Sequence, residues 1–499
     1  MTYAPTHATR TATARAAGLD TPIAVARGDG IGPEIMDAVF AILEAAGARL
    51  DVAEVEAGEA AYLRGVTSGI EPASWQTLRE RRVLLKAPMT TPQGSGYKSL
   101  NVTLRKTLGL YANVRPCVAY APYVPTRHPK MDLVVIRENE EDLYAGIEHR
   151  QTDEVYQCLK LITRPGCERI VRYAFEFARA NQRHKVTCFT KSNIMKMTDG
   201  LFRQVFLDLA KEYADIEAEH LIVDAGAARL ATRPETFDVL VMPNLYGDIL
   251  SDVAAEMSGA LGLAGTANIG DHGALFEAIH GSAPDIAGQN KANPSGLLLA
   301  GVMMLHHLGQ HDVADRVHHA WLATLEDGVH TGDIARTSHT TKVVGTRQFA
   351  QEVVARLGAA PEALKAGTLA LPDVAPAPAV RPATRPATKD IVGVDVFMHW
   401  TAGNADALAD AIRAVDLNGF DLMMITNRGV KVWPNGLPET FCVDHWRCRF
   451  MVGNGADETS HAQILGLLGN LAQGGLDFVK TEHLCTFDDE PGFSLGQGQ

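Results

Sequence analysis

The strongest constraint on the fold is a short apolar run that changes directly into a helical pattern. Residues 237–242 (Phe-Asp-Val-Leu-Val-Met) have the composition of a buried parallel strand. From Gly247 onward the periodicity is helical, and one face carries Ile249, Val253 and Met257. Further short apolar strands are predicted at 23–26, 83–85, 133–136, 186–189 and 221–223, with helical patterns between most of them. This alternation predicts an α/β fold with a largely parallel sheet.

Acidic residues follow two of these predicted strands. Asp248 and Asp252 are four residues apart, so a helix places both carboxylates on one side. Their mutual repulsion would become attraction around a hard divalent cation such as Mg²⁺ or Mn²⁺. Asp224, after the strand at 221–223, adds a third carboxylate at a neighbouring strand end. From the helix segment alone, an ordinary acidic helix start favoured by the helix dipole explains the pair at least as well.

Cationic and small polar side chains gather in a second region. Arg105, Arg115 and Arg137 lie at predicted strand and helix ends, and Ser99 and Asn101 precede them. A guanidinium can hold a planar carboxylate by two parallel hydrogen bonds, so the three arginines indicate a polycarboxylate substrate. Any one of them alone could instead be a surface residue with a packed stem.

Three further segments are candidates for ligand contacts. Gly28-Asp-Gly-Ile-Gly-Pro-Glu34 places Pro33 and Glu34 where a Rossmann fingerprint needs its third glycine, which predicts a tight strand-to-helix turn and not a Rossmann fold. Lys191, after the strand at 186–189, is a candidate acid or base if it is partly desolvated, although a lone lysine is more often a surface residue. Residues 280–284 (His-Gly-Ser-Ala-Pro) suit an adenosine, or form an ordinary polar loop.

Size and composition limit the class of protein. A chain of 499 residues predicts more than one core. The net charge of −13 argues against binding to nucleic acid or to an anionic membrane surface. No window approaches the roughly 20 apolar residues of a membrane span. The 7 scattered cysteines lack a Cys-x-x-Cys pair, which predicts reduced thiols and a cytoplasmic location.

A change of composition divides the chain. Residues 358–389 are rich in proline and alanine and predict a semi-rigid linker. Residues 390–499 have the predicted order β-α-β-β-β-α-β, which is typical of a ferredoxin-like α+β module. Residues 1–20 are predicted to be a disordered tail.

Several motifs together resemble a known family. They are Gly28-Asp-Gly-Ile-Gly-Pro33, Ser99-Leu-Asn-Val-x-Leu-Arg105, Arg137-Glu-Asn139, Lys191-Ser-Asn193, Asn244-Leu-Tyr-Gly-Asp248 and His280-Gly-Ser-Ala-Pro284. Over about residues 21–355 the chain resembles the metal-dependent β-decarboxylating dehydrogenases, and within them the isocitrate dehydrogenases. Residues 390–499, which end on Asp489-Glu-Pro-Gly-Phe-Ser494, resemble the C-terminal extension of a long bacterial subgroup.

The resemblance implies an isopropylmalate-dehydrogenase-like fold with several parts. A large domain on the coenzyme side would comprise 21–110 and 259–357. A small domain with the substrate, metal and dimer interface would comprise 111–141 and 164–258. Residues 142–163 would form a clasp arm, and 390–499 an accessory domain.

The resemblance also implies an activity and a set of site residues. The activity would be oxidative decarboxylation of isocitrate to 2-oxoglutarate and CO₂, a step of the tricarboxylic acid cycle. Substrate carboxylates would be held by Ser99, Asn101, Arg105, Arg115 and Arg137. Mg²⁺ or Mn²⁺ would be bound by Asp224, Asp248 and Asp252. Lys191 would accept the hydroxyl proton and Tyr144 would return a proton, with Lys191 and one aspartate supplied across the interface of a homodimer. Coenzyme contacts would come from Lys86, Thr90, Asn193, Glu277, His280, Gly281, Ser282, Ala283, Asp285, Ile286 and Asn293.

Two positions predict the coenzyme. Members of the family that use NADP typically carry Lys-Tyr after the His-Gly-Ser-Ala-Pro motif, whereas this chain has Asp285 and Ile286. A carboxylate there accepts hydrogen bonds from ribose hydroxyls and repels a 2′-phosphate. We therefore expect NAD to be preferred.

Two alternatives remain open at this stage. The substrate could be a related 2-hydroxy acid, such as homoisocitrate or 3-isopropylmalate, although the polar Ser99 and Asn101 favour isocitrate over an alkyl group. The 390–499 module could bind an effector or serve in assembly.

Overall fold

The computed structural model describes residues 20–91, 99–365, 367, 369–372, 386–453 and 459–496. The predicted tail, apart from Asp20, and the middle of the predicted linker lie outside these residues. The chain forms two compact units, one of residues 1–145 with 160–377 and one of residues 146–159 with 378–499. Across the described ranges, no helix is both long enough and apolar enough to span a membrane.

Strands alternate with helices along most of the chain. The first ten strands are β1 (Thr21–Ala26), β2 (Leu50–Glu54), β3 (Val83–Lys86), β4 (Ala112–Val118), β5 (Asp132–Glu138), β6 (Glu148–Arg150), β7 (Tyr156–Cys158), β8 (Lys185–Thr190), β9 (Glu217–Ile222) and β10 (Val239–Met242). The next ten are β11 (Gly265–Gly270), β12 (Gly273–Ala278), β13 (Val329–Thr331), β14 (Lys342–Val344), β15 (Lys389–His399), β16 (Phe420–Asn427), β17 (Val430–Trp433), β18 (His445–Val452), β19 (Phe478–Phe487) and β20 (Glu490–Pro491). The helices are α1 (Gly32–Ala45), α2 (Glu59–Leu63), α3 (Pro72–Arg81), α4 (Leu100–Thr107), α5 (Arg164–Ala180), α6 (Thr198–Ala210), α7 (Val223–Thr232), α8 (Asn244–Ser258), α9 (Ser295–His307), α10 (His311–Glu326), α11 (Thr346–Ala355), α12 (Ala405–Arg413) and α13 (His461–Gln473).

A ten-stranded mixed sheet organises the first unit, in the order β2-β1-β3-β12-β11-β4-β5-β10-β8-β9. The strands on both sides run parallel, whereas the central pairs β12–β11, β11–β4 and β4–β5 are antiparallel. All four residues of β3 and all four of β10 are buried, as expected where helices cover both faces of a sheet. The predicted α/β fold is confirmed, and the centre of the sheet is where the structure departs from a purely parallel arrangement.

The helix after β10 exposes two of its long apolar side chains. The buried face of α8 carries small residues and Leu250, including Ala254 and Ala255. Ile249 and Val253 are instead 54% and 43% exposed. A single chain therefore leaves an apolar stripe on this helix open to solvent.

An antiparallel sheet in the order β17-β16-β18-β15-β19-β20 forms the second unit. Helices α12 and α13 share one core with Val394, Val396 and Met398 of β15, so both lie on the same face of the sheet. The ferredoxin-like module predicted from the sequence is therefore present. The structure also groups residues 146–159, with the hairpin β6–β7, into this unit, an association that the sequence did not indicate.

Candidate active site

Two arginines and two aspartates form the centre of the site. Arg115 of β4 is 4% exposed and donates to Ser251 Oγ (2.7 Å), Asp252 Oδ1 (2.8 Å) and Asp248 Oδ1 (3.1 Å). Arg137 of β5 is 1% exposed and also pairs with Asp248. The helix predicted to hold carboxylates thus meets the predicted arginines, which themselves come from neighbouring strands.

Charge in this centre is only partly balanced. Burial, Arg115 and Arg105 lower the pKa of Arg137 to about 9, which leaves it charged at neutral pH. Burial would raise the pKa of Asp248, but Arg137 and Arg115 lower it, so this carboxylate stays ionised as a metal ligand must. Burial raises the pKa of Asp252, against the opposing effect of Arg115. Four cations (Lys86, Arg105, Arg115 and Arg137) pair with three carboxylates (Asp248, Asp252 and Glu277), so one excess positive charge favours an anionic ligand.

A second ion cluster is buried around a single carboxylate. Glu277 of β12 accepts from Lys86 Nζ (2.8 Å), Arg105 Nη2 (2.9 Å) and Asn268 Nδ2 (2.9 Å). Burial would raise the pKa of Glu277, but the Lys86 and Arg105 charges lower it well below the ordinary value. The carboxylate thus fixes the Arg105 side chain at the edge of the site.

Two polar atoms beside this cluster lack partners. Asn101 Oδ1 and Arg105 Nε are both buried and have no hydrogen-bond partner among the described residues. Ser99 precedes α4 without capping it, and its hydroxyl accepts from Thr91 Oγ1 at 3.3 Å. Buried polar groups without partners are rare and indicate a place where a ligand supplies the missing bonds.

The remaining catalytic candidates divide between two places. Tyr144 donates its hydroxyl hydrogen to Asp248, and burial together with that bond raises its pKa, so the hydroxyl stays protonated. Lys191 pairs instead with Asp224 at the start of α7. In the part of the chain that the structure describes, Asp224, Asp248 and Asp252 do not form one group with oxygens all within 4.8 Å of one another.

The predicted coenzyme loop is held by the first turn of the chain. Gly30 has a φ of +57°, and a Cβ at this position would come within 2.0 Å of the Ser282 carbonyl. Ile31 donates its amide hydrogen to that carbonyl (2.9 Å), and the Ser282 hydroxyl contacts Thr90 Oγ1 (2.9 Å). The glycine turn therefore supports the 281–284 loop with its backbone, a contact that the sequence did not predict.

Other predicted coenzyme contacts lie around this loop. His280 Nδ1 contacts the Gly281 carbonyl (3.1 Å), while its Nε2 is buried without a partner among the described atoms. Burial lowers the pKa of this imidazole, so it is neutral at neutral pH. Asn293 is fixed by Asp333 and by the Ser295 amide. Ala283 has a φ of +38°, Ile286 is half-buried, and Gly281, Asp285 and Asn193 are exposed.

A buried polar network, which the sequence did not predict, joins the two clusters. Asn268 Nδ2 donates to Glu277, and Asn268 Oδ1 accepts from Asn113 Nδ2 (2.9 Å). Asn113 Oδ1 in turn accepts from Arg115 Nε (2.6 Å). The relay Glu277–Asn268–Asn113–Arg115 links adjacent central strands and fixes both sides of the site relative to each other. Ser251 was also not predicted, and neither was the role of Asn244 as an acceptor for Arg137 (2.7 Å).

Comparisons with known proteins identify the family of this chain. The family model described as isocitrate/isopropylmalate dehydrogenase matches residues 22–353, and the model described as bacterial isocitrate dehydrogenase, C-terminal domain, matches residues 389–499. A protein of Rickettsia bellii named isocitrate dehydrogenase [NADP] is 53% identical over 96% of this chain and 99% of its own length. A protein of Thermus thermophilus with the same name is 46% identical, over 96% of each chain. The crystal structure of the TT0538 protein from Thermus thermophilus superposes with a TM-score of 0.90, at 45% identity over 96% of each chain.

The names of these relatives correct the coenzyme prediction. Relatives that are 46–53% identical over nearly their whole length are named for NADP, so the expectation of NAD from Asp285 and Ile286 was wrong. The physical reason is that the Asp285 carboxylate is exposed to solvent. It lies on a turn at the surface, where water and salt weaken its repulsion of a phosphate.

The motif positions, the arginine–carboxylate centre, the two family models and the near full-length relatives all agree. The fold class and the C-terminal extension predicted from the sequence are confirmed by the same findings. This chain belongs to the isocitrate/isopropylmalate dehydrogenase family and carries the C-terminal domain of its bacterial isocitrate dehydrogenases.

Proposed function

We propose that this chain catalyses the oxidative decarboxylation of isocitrate to 2-oxoglutarate and CO₂ with NADP and Mg²⁺ or Mn²⁺. The observation that carries the proposal is the convergence of Arg105, Arg115 and Arg137, two of them almost fully buried, beside the unpartnered Asn101 Oδ1. Three guanidinium groups match a tricarboxylate, and a polar Asn101 suits a third carboxylate better than an alkyl group.

The side chains have complementary roles in this proposal. The arginines orient the substrate carboxylates, and Asp248 and Asp252 are the oxygen ligands that would hold the cation. When bound, NADP would take the hydride from C2 and the cation would stabilise the negative charge that develops as CO₂ leaves. Lys191 would accept the hydroxyl proton, and Tyr144 would deliver a proton to the carbon that lost CO₂.

A second copy of the chain would complete the site. Lys191 and Asp224 form a pair of their own, away from the other two metal-binding carboxylates. The exposed apolar stripe of Ile249 and Val253 lies on the same helix as Asp248 and Asp252. A homodimer that covers this stripe would bring the Lys191–Asp224 pair of one subunit to the centre of the other.

Two cations near Asp285 are candidates for the 2′-phosphate of NADP. Lys291 donates to Gln289, whose amide donates to the Asp285 carbonyl. Arg347 lies at the start of α11, where its backbone amide donates to Asn290. Hydrogen bonds thus tie Lys291 and Arg347 to the segment that directly follows the Asp285 turn. Arg347→Ala is expected to raise the KM for NADP more than the KM for NAD.

The decisive experiment measures initial rates with isocitrate, homoisocitrate and 3-isopropylmalate, each with NADP and NAD, with and without Mn²⁺. The proposal expects the highest kcat/KM for isocitrate with NADP, and only with the metal. A higher kcat/KM for either other acid would contradict the substrate assignment.

The cytoplasmic location stays a prediction, supported by the 7 cysteines, most of which are buried. The predicted division of residues 21–357 into large and small domains also stays a prediction.

A further inference from the structure

A second group of metal-ligating side chains lies in the unit formed by 146–159 and 378–499. Among the residues that the structure describes, Asp153, His399 and Asp444 each offer one ligand atom, and these atoms all lie within 4.8 Å of one another. Asp153 belongs to the turn of the β6–β7 hairpin. His399 ends β15, and Asp444 directly precedes β18. The group therefore joins the hairpin to the antiparallel sheet.

The distance between the two inner ligands matches a metal site better than a hydrogen bond. His399 Nε2 and Asp444 Oδ2 are 3.3 Å apart. The Nε2 atom is nevertheless buried and has no hydrogen-bond partner among the described residues, so its axis is not directed at that oxygen. Two ligands about 2.0–2.1 Å from a tetrahedral Zn²⁺ lie about 3.3 Å apart, each with its lone pair directed at the ion.

The surroundings of these ligands have the pattern of a supported metal site. The other ring nitrogen, His399 Nδ1, lies 3.5 Å from Asp477 Oδ2, so a carboxylate stands beside the nitrogen that would not bind the ion. Asp444 is 8% exposed, and its carboxylate accepts from Thr152 Oγ1 (2.6 Å) and from the Asp153 amide (3.1 Å). Ligating carboxylates are normally held by such bonds.

The backbone fixes the positions of these side chains before any ion binds. The His399 amide donates to the Asp477 carbonyl (2.9 Å), and the Trp400 amide donates to the Asp444 carbonyl (3.0 Å). These bonds tie β15 to the segments that carry Asp477 and Asp444, so the ligand side chains need little reordering when an ion binds.

Charge and access also favour a cation. Asp153, Asp444, Asp477 and the nearby Glu154, which accepts from the Asp444 amide, place four carboxylates around one imidazole. Arg150 pairs with one oxygen of Asp153 and offsets only part of this charge. Asp153 is exposed, which gives an ion a path from solvent.

We propose that Asp153, His399 and Asp444 form a binding site for a divalent transition metal such as Zn²⁺, separate from the catalytic carboxylates. Imidazole nitrogen with carboxylate oxygens is the donor set that Zn²⁺ accepts and Mg²⁺ does not prefer. The bound ion clamps the 146–159 hairpin to the sheet of its unit.

The test counts Zn²⁺ bound by untagged full-length protein after chelation, using isothermal titration and metal analysis. Wild type is expected to bind one more Zn²⁺ per chain than His399→Gln. Asp477→Asn, which alters only the group behind the imidazole, is expected to weaken that site by about 10- to 100-fold. His149→Gln is the matched control, because His149 is an exposed histidine of the same hairpin and should keep the full count. Isocitrate turnover with Mn²⁺ should be alike in all four proteins.

Equal Zn²⁺ counts and affinities in wild type and His399→Gln would overturn the proposal. The same conclusion would follow if His399→Gln changed only the thermal midpoint, because His399 would then serve solely as an ion-pair partner of Asp444.

Discussion

Glu277→Gln is expected to destabilise the first unit by several kcal/mol, because it removes the one carboxylate between two buried cations. Glu277 is 4% exposed, and Lys86 and Arg105 are 1% and 9% exposed. Glutamine keeps an oxygen that can accept from Asn268 or Arg105, so the change removes charge and little volume. Lys86 then keeps only the Ala87 carbonyl as an acceptor (3.0 Å).

The size of the effect has a lower and an upper estimate. Removing one partner of a buried ion pair costs about 3–5 kcal/mol. We therefore expect a loss of about 3–5 kcal/mol at pH 7.

The contribution of Glu277 also depends on pH. Wild-type Glu277, with its lowered pKa, contributes stability throughout neutral and alkaline pH and loses it only in acid. The difference in unfolding free energy between wild type and variant should therefore be constant between pH 7 and 9 and shrink only in acid.

Hydrogen exchange followed by mass spectrometry resolves the two units within the full-length chain. Amides of β3 and β12 should exchange about 10²- to 10³-fold faster in the variant at pH 7, with a similar ratio at pH 9 after correction for intrinsic rates. Amides of β15 in the other unit serve as the internal reference, and Glu44→Gln, an exposed glutamate, as the control variant. A change below about fivefold would refute the assignment of Glu277 as the counter-ion of both cations.

Three further predictions concern the reaction and the pH dependence of stability. Tyr144→Phe should lower kcat by about 10²- to 10⁴-fold with little change in the KM for isocitrate, and an unchanged kcat would remove Tyr144 from proton delivery. Asp248→Asn should lower Mn²⁺-dependent turnover by more than about 100-fold while the thermal midpoint falls little, and wild-type turnover across a Mn²⁺ titration would contradict its role as a ligand. Burial raises the pKa of Glu138 to about 7, so between its ordinary value and pH 7 the folded state holds the extra proton and stability falls as pH rises. Glu138→Gln should remove this fall of about 3 kcal/mol, measured as thermal midpoints at pH 5 and pH 8, and a midpoint that drops as in wild type would count against it.

The strands that could be predicted contain an uninterrupted apolar run, as in residues 83–85 of β3, 133–136 of β5 and 239–242 of β10. The central strands β4, β11 and β12 were not predicted, because they carry Asn113, Asn268 and Glu277 at buried positions. Polar residues at core positions break the alternation on which strand prediction depends. They are stable there only because each meets a partner from another strand, and no local pattern encodes such a partner.

The sequence predicted that Arg115, Arg137 and Asp248 belong to one site, and the structure brings these side chains together, while their roles stay predictions. The coenzyme preference was predicted wrongly, because Asp285 was judged by its chemistry alone while its exposure was unknown. The contact between Asp153 and Asp444 could not be predicted either, since about 290 residues separate them and the hairpin was assigned as a separate arm.

The central hairpin of the large sheet has a consequence for synthesis of the chain. β11 and β12 lie between β3 and β4, although they are made long after both. About 160 residues separate the end of β4 from the end of β12, and a ribosome adds them in roughly 8 to 32 s. A sheet of β2, β1 and β3 that formed during that interval would leave exposed the edge of β3 that β12 later covers. Nascent chains should therefore be most prone to aggregation, and most dependent on chaperones, until Ala278 has left the ribosome.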